Sequence, residues 1–379
     1  MVKHSFLLKK NIKKDILIIV GEKMKKNGFT MVELIAIIII ISVILILSYS
    51  SLTKSLKEAD VKEKKDFITK IENAAMLYVE TNLDSFKRLD NISDYEILIA
   101  NDLVELGYLD DSIKNPTESS LDEVLIKVQK KEDNTIDYKV YVSGDFNRYD
   151  NGYIIYFNPV LGRMCSNYSN QNSSTGIRNG CMKWYVFNDT KESVYVDLIL
   201  DHNTTSSYNW NNDKSTLLGP SVDFMNKLKQ DTVTWIGVER RKDSYNLNNG
   251  TVNYNVDYTG YRARIITADE IAKISNFLSY NEKNSTITSF YFGSNSTDTT
   301  KRESYNWLYD RTSLTCITNG CANNSDLDTV GYWTITSLPG SSTNALYIAS
   351  VGSLDNSSVS TTNNIGIRPV ITIPKVILE

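Results

Sequence analysis

The stretch Lys25–Ser50 reads KKNGFTMVELIAIIIIISVILILSYS, and it decides how the rest of the chain is interpreted. Basic residues lead to Gly28 and Phe29, and Glu33 then precedes the run Leu34–Leu47, which holds one polar residue. A run of this kind predicts a helix that is apolar on every side, as in a membrane span or a filament core. An acidic side chain at the entrance to such a helix is costly, so Glu33 is a candidate functional residue.

The charge of the chain changes sign at the same place. The formal net charge is −4 over 379 residues, a length that suits two or three domains. Residues 1–28 carry eight Lys against two acids, whereas the remainder carries 33 basic and 43 acidic residues. A basic leader before an apolar run predicts a cytoplasmic start and an exported remainder. The acidic remainder argues against nucleic acid as a partner.

The residues Gly28, Phe29 and Glu33 resemble the cleavage and methylation signal of type IV prepilins and pseudopilins. The resemblance implies that prepilin peptidase cuts after Gly28, that Phe29 is N-methylated, and that Glu33 guides filament assembly. It implies as partners other pilin subunits, a pilus assembly membrane protein with its ATPase, and membrane lipid before assembly. An ordinary signal anchor followed by a stalk is the alternative interpretation of the same stretch.

The chain is expected to divide into four segments. Met24 offers an alternative translation start, in which case residues 1–23 are an over-extended gene start. The segments are a leader (1–28), a transmembrane or filament-core helix with an amphipathic extension (29–89), a pilin-like head (90–148) and a C-terminal domain (149–379). The head should contain a helix at Tyr95–Leu106 and two strands near 124–128 and 136–142.

Four short motifs in the C-terminal region resemble exported bacterial domains related to the formylglycine-generating and C-type-lectin-like fold. They are Arg264–Glu270, Trp307–Arg311, Tyr332–Thr334 and Gly366–Ile371. The fold class expected is therefore α+β: a long N-terminal helix packed on a small antiparallel sheet, followed by a larger, loop-rich α+β domain of C-type-lectin-like form. Helices are predicted at Val222–Gln230 and Ala268–Leu278.

The four cysteines form two near pairs, Cys165 with Cys181 and Cys316 with Cys321. In an exported chain such pairs indicate disulfides, although buried reduced thiols are the alternative. Three connectivities are possible, and the two local pairings are the simplest. Cys316 and Cys321 also have the spacing of the copper-binding pair in formylglycine-generating enzymes, but their flanking residues differ, which favours a structural disulfide.

Other candidate sites are weak, and we expect no catalytic residues, metal or cofactor. Asp201-His202-Asn203 follows a predicted strand, but no nucleophile is identifiable beside it, so a structural role is favoured. A Ca²⁺ site could be formed by Asp310, Asp326 and Asp328, but these acids lack the spacing of an EF-hand loop, which favours solvated loop residues. Tyr and Trp among Asn residues could form a sugar-binding face, or the core of a small domain.

The function expected from the sequence is a minor pilin or pseudopilin of a type IV pilus-like surface filament. A single N-terminal helix would hold it in the cell membrane with the C-terminal part extracellular, and its large head would bind a surface glycan or protein. Two alternatives remain open. One is a membrane-anchored binding module that does not polymerise, and the other is an enzyme on the C-terminal domain.

Overall fold

The computed structural model describes residues 30–92, 94–167, 180–205, 207–213, 218–277, 280, 289–292, 304–309, 330–360 and 364–379. Within the first helix, the side chains of residues 43–52 and 55 lie outside this description. The chain divides into two compact units, Met1–Asp66 and Phe67–Glu379.

The helices and strands have the following bounds. The α-helices are α1 (Met31–Thr81), α2 (Ala100–Glu105), α3 (Val222–Asp231), α4 (Ala268–Ile274) and α5 (Asn306–Tyr309). The strands of the first half are β1 (Tyr95–Ile99), β2 (Leu125–Lys130), β3 (Ile136–Tyr141), β4 (Ile154–Asn158), β5 (Arg163–Met164), β6 (Met182–Phe187) and β7 (Tyr195–Leu200). Those of the second half are β8 (Ser244–Asn248), β9 (Asn253–Asp257), β10 (Phe290–Tyr291), β11 (Gly331–Ser337), β12 (Asn344–Ala349), β13 (Ser353–Ser358), β14 (Ile365–Gly366) and β15 (Val370–Pro374). Short 3-10 helices lie at Leu83–Ser85, Lys87–Asp90, Leu121–Glu123 and Lys375–Leu378.

The first unit consists, in its described part, of α1 up to Asp66. The described side chains of Met31–Ser42 are exposed although most of them are apolar, and those of Lys54–Asp66 are mainly charged. Within the residues that the structure describes, no helix is both long enough and apolar enough to cross a membrane. The predicted single-pass transmembrane helix, and with it the predicted location in the cell membrane, is therefore not supported.

The second unit begins with the last turns of α1, where burial in the described part of that helix starts. Phe67, Ile71 and Val79 recur on one face of the helix and share a core with Ile126 and Val128 of β2. The strands β1, β2 and β3 form an antiparallel sheet in that order.

The predicted helix Tyr95–Leu106 is wrong in its first half. Residues Tyr95–Ile99 form β1, which pairs in antiparallel register with β2, so that Ile97 lies opposite Lys127. Ile97 and Ile99 pack against a separate small core that contains Leu125. Pairing with β2 satisfies the backbone of this segment, and the helix α2 begins only at Ala100.

Two five-stranded sheets make up most of the remaining unit. Their strand orders are β15-β7-β6-β4-β5 and β10-β13-β12-β11-β14, and β8 with β9 forms a separate hairpin. Side chains alternate across β6, so that Trp184 and Val186 enter one core while Tyr185 and Phe187 enter another. Buried side chains of α3 belong to the first core, and those of α4 belong to the second.

The predicted fold class is therefore wrong. The chain is a mixed but sheet-rich protein with four sheets in its described part, and two five-stranded sheets stand where a loop-rich, C-type-lectin-like domain was predicted. The physical reason lies in strands such as β13, Ser-Leu-Asp-Asn-Ser-Ser, whose composition is that of a loop. Pairing with β12 along its whole length, rather than local propensity, holds it as a strand.

Candidate functional site

The exposed apolar segment of α1, Met31–Ile41, is the first candidate site. Its large side chains are exposed to between 38% and 79%: Met31, Val32, Leu34, Ile35, Ile37, Ile38, Ile39, Ile40 and Ile41. They surround the helix on all sides instead of forming one stripe. A helix that is apolar all round is normally buried, so this segment is a candidate interaction surface.

Glu33 lies at the start of this segment and closes a capping box with Thr30. The Glu33 carboxylate accepts hydrogen bonds from the Thr30 backbone N–H at 3.0 Å and from its hydroxyl at 3.0 Å. The Glu33 backbone N–H in turn donates to the Thr30 hydroxyl at 3.3 Å. The backbone hydrogen bond from Thr30, and then the side-chain one, lower the pKa of Glu33, so the carboxylate is charged at neutral pH. Glu33 therefore has a structural role as a helix cap besides any role in assembly.

The predicted processing residues and the second cysteine pair lie outside the described residues. Gly28 and Phe29 precede the first described residue, and Cys316 and Cys321 fall within residues 310–329. The acids Asp310, Asp326 and Asp328 fall in that same range. The predicted pairing of Cys165 with Cys181 is confirmed, because the two form a disulfide with their Cα atoms 6.1 Å apart.

Asp201-His202-Asn203 is a buried connection between the two five-stranded sheets. It directly follows β7, and its three side chains are buried. Asp201 accepts a hydrogen bond from the Tyr185 hydroxyl at 2.7 Å, and Asn203 donates through Nδ2 to the Gly331 carbonyl of β11 at 3.1 Å. The structural interpretation of this triplet agrees with these contacts.

Neighbouring groups keep Asp201 ionised in spite of its burial. Burial alone would raise its pKa, but the adjacent His202, the Tyr185 hydrogen bond and the charge of Arg368 together lower the pKa to about 2. Arg368 itself donates to the carbonyls of Leu200, Leu308 and Trp307 at 2.5, 2.7 and 2.8 Å. The cluster thus ties β7 to α5 and stabilises the interior.

A polar cleft of about 600 Å³ is the second candidate site. It lies between the turn after β6, the hairpin strand β8 and the start of α4. Amides, hydroxyls and charged groups of both signs line it, notably Asn151, Asn188, Thr190, Arg148, Lys273, Asp269 and Glu270. We call this feature the polar cleft.

Beneath the polar cleft lies a buried ion cluster of Arg264 with Glu270 and Asp197. The guanidinium donates to both Glu270 oxygens at 2.8 and 2.6 Å and to Asp197 at 2.7 Å. It also lies over the rings of Phe187 and Tyr245 at 5.5 and 5.4 Å. Burial works against the charge of Arg264, but the two carboxylates outweigh it and raise its pKa further. Arg264 therefore stays charged in spite of its burial.

The charges around the polar cleft nearly cancel, and this decides what it could bind. Lys273 pairs with Asp269 at 2.8 Å and Asp189 with Lys375 at 2.6 Å, and Arg148 among the lining residues offsets the excess carboxylate of the buried cluster. A neutral ligand rich in hydroxyls suits amides and hydroxyls at low net charge. In the described part of the chain, no group of three His, Cys, Asp or Glu residues is placed to hold a metal ion.

Sequence reasoning missed the hydrogen bonds between Glu33 and Thr30 and, at α4, the second role of Glu270, although each had a signal. Thr30 and Glu33 fit the capping-box spacing, Ser or Thr followed three residues later by Glu, directly before the apolar run. Thr267 and Glu270 form a second capping box at the start of α4, and Glu270 is also the partner of Arg264. The first spacing was hidden by the prepilin-like pattern that overlaps it.

Comparisons with known proteins add no relative. No protein-family model, curated protein or solved structure matches the chain.

Proposed function

We propose that the chain is a structural subunit of a type IV pilus-like filament, similar to a minor pilin or pseudopilin, processed by a prepilin-type peptidase at Gly28–Phe29. The observation that supports this proposal is the exposed apolar segment of α1 with a charged Glu33 at its start. Other pilin subunits would cover the segment, and an assembly ATPase would supply the energy.

Helix packing between subunits would remove the exposed apolar surface from water. Completing the burial of each large side chain in the segment contributes roughly 1 kcal/mol to the free energy of association. Nine such side chains therefore provide a driving force comparable with the stability of a small domain, before the cost of association is subtracted. Because the segment is apolar on all sides, it suits a core of several helices better than contact with one partner.

Glu33 would set the register of packing. Cleavage leaves a positive amine at Phe29, and a charge among apolar helices is costly unless it is paired. The carboxylate of Glu33 is the negative group closest to that end of α1 in the described part of the sequence. The second unit, with its polar cleft, would be displayed for adhesion or recognition.

The capping box allows an experiment that separates assembly from helix capping. Glu33→Gln keeps an acceptor for Thr30 but removes the charge, whereas Glu33→Ala removes both. If the charge guides assembly, both variants lose incorporation into filaments by at least tenfold, measured as the chain recovered in the filament fraction. Thr30→Ala, which weakens the cap and keeps the charge, is the matched control and should still be incorporated.

Normal incorporation of Glu33→Gln together with loss for Glu33→Ala and Thr30→Ala would assign Glu33 to capping alone. Full incorporation of all three variants would contradict any role for Glu33. Absence of the unaltered chain from filaments would contradict the proposed function itself.

A further inference from the structure

Lys375 and Asp189 form a fully buried pair far apart in sequence. Lys375 directly follows β15, and Asp189 lies two residues beyond the end of β6. The Lys375 Nζ atom lies 2.6 Å from Asp189 Oδ1, and neither side chain is exposed to solvent. A buried ion pair gains little net stability, since desolvation of both charges opposes their attraction. The pair therefore calls for an explanation beyond an ordinary salt bridge.

The surrounding groups hold both side chains in one orientation. Lys375 Nζ donates a hydrogen bond to the Thr190 carbonyl at 2.6 Å. Asp189 Oδ2 accepts one from the Tyr149 backbone N–H at 2.7 Å. The close approach of Nζ to Oδ1 lacks the angles of a hydrogen bond within the described structure. The nitrogen is thus positioned beside the carboxyl group without donating to that oxygen in a regular way.

We propose that Lys375 and Asp189 condense into an intramolecular isopeptide bond. Proton transfer from the ammonium to Oδ1 gives a free amine and a carboxylic acid. The amine lone pair attacks Asp189 Cγ, and the negative charge that develops on Oδ2 faces the Tyr149 N–H. Oδ1 leaves as water with two protons, one received before the attack and one from the attacking nitrogen. The products are one amide and one water molecule, and no oxidant or other reactant is needed.

Placement of the two groups replaces an external catalyst. Groups held in reactive contact reach effective molarities of about 10⁵ to 10⁸ M, which can drive a reaction that is negligible between free side chains. Exclusion of water from the fully buried site also opposes hydrolysis of the amide once it has formed. The bond would tie the end of the chain after β15 to the turn after β6. It would do so whether or not the chain assembles into filaments.

The test is the mass of the purified full-length chain under denaturing conditions. The expected mass is lower, by one water molecule, than the mass calculated from the sequence after allowance for disulfides. Proteolysis should then yield a branched peptide that joins Lys375 to Asp189. Lys227 and Asp231 provide an internal control, because their 2.5 Å pair is partly exposed and should remain unlinked.

The Asp189→Ala variant cannot form the bond, so its mass should show no missing water molecule. Proteolysis of this variant should release Lys375 in a linear peptide. Should this variant fail to fold, the unaltered chain still decides the question. An unaltered chain with no missing water, and with Lys375 in a linear peptide, would overturn the proposal.

Discussion

Replacement of Arg264 by Met should destabilise the second unit more than any surface substitution. Arg264 is 1% exposed, and its partners Glu270 and Asp197 are 14% and 21% exposed. Met keeps an apolar stem of similar length between the Phe187 and Tyr245 rings but leaves two carboxylates without their cation. Loss of one partner from a buried ion pair costs about 3 to 5 kcal/mol, since the remaining charge is uncompensated.

The assay is equilibrium unfolding in urea at neutral pH, with the free energy of unfolding compared between variants. Arg240→Met is the matched control, because Arg240 is exposed and donates to the single carbonyl of Gly260. Its effect should stay within about 0.5 kcal/mol. Adding Glu270→Gln to Arg264→Met should recover part of the lost free energy of unfolding. The double variant leaves one unpaired carboxylate instead of two, and Gln keeps a side-chain acceptor for the Thr267 N–H at the start of α4.

A loss below about 1 kcal/mol for Arg264→Met would refute the reasoning, because it would mean that the two carboxylates tolerate burial without a cation. Lack of recovery in the double variant would show instead that the loss comes from packing rather than from charge.

Two further predictions concern the interior polar cluster and the disulfide. Since the pKa of Asp201 is about 2 when folded and close to 4 when unfolded, its contribution is present above pH 4 and is lost as the pH falls towards 2. Between pH 4 and pH 2, the free energy of unfolding should therefore fall by roughly 2 kcal/mol less in Asp201→Asn than in the unaltered chain. An equal fall in both chains would contradict this assignment. Cys165→Ser should lower the free energy of unfolding by about 3 kcal/mol, as expected for a loop of 16 residues. A reducing agent should have no further effect through this pair in the variant. An unchanged midpoint of unfolding in urea would argue against a stabilising disulfide.

Local signals in the sequence located several elements correctly. The helix predicted at Val222–Gln230 is α3, and the one predicted from Ala268 is α4, although it ends at Ile274 instead of Leu278. Both begin after a residue whose side chain caps the helix, Ser221 or Thr267. Capping and periodicity act within a few residues, which is why they can be recognised without the fold.

Long-range pairing could not be recognised in the same way. The strand β14 lies parallel to β11 at the edge of its sheet, and Arg264 meets Asp197 across 67 positions of sequence. The pattern of residues says that Arg264 needs a counter-charge when it is buried, but not which acid supplies it. The contact of Lys375 with Asp189 is likewise visible only once β15 has paired with β7.

The candidate site was partly predictable and partly misinterpreted. The sequence marks Glu33 as an unusual acid before an apolar run, and the structure adds that its carboxylate accepts two hydrogen bonds from Thr30 at the start of α1. The same run predicts a membrane span, which the described part of the helix does not support. The polar cleft draws on three separate elements, so no single motif could have indicated it.

The identity of the first residue in chains recovered from filaments tests the proposed function most directly. Cells that make the chain together with a prepilin-type peptidase should yield filaments that contain it, with N-methylated Phe29 as the first residue. Removal of the peptidase should leave residues before Phe29 attached and the chain absent from the filament fraction. A chain that keeps those residues in the presence of the peptidase and never enters filaments would contradict the account.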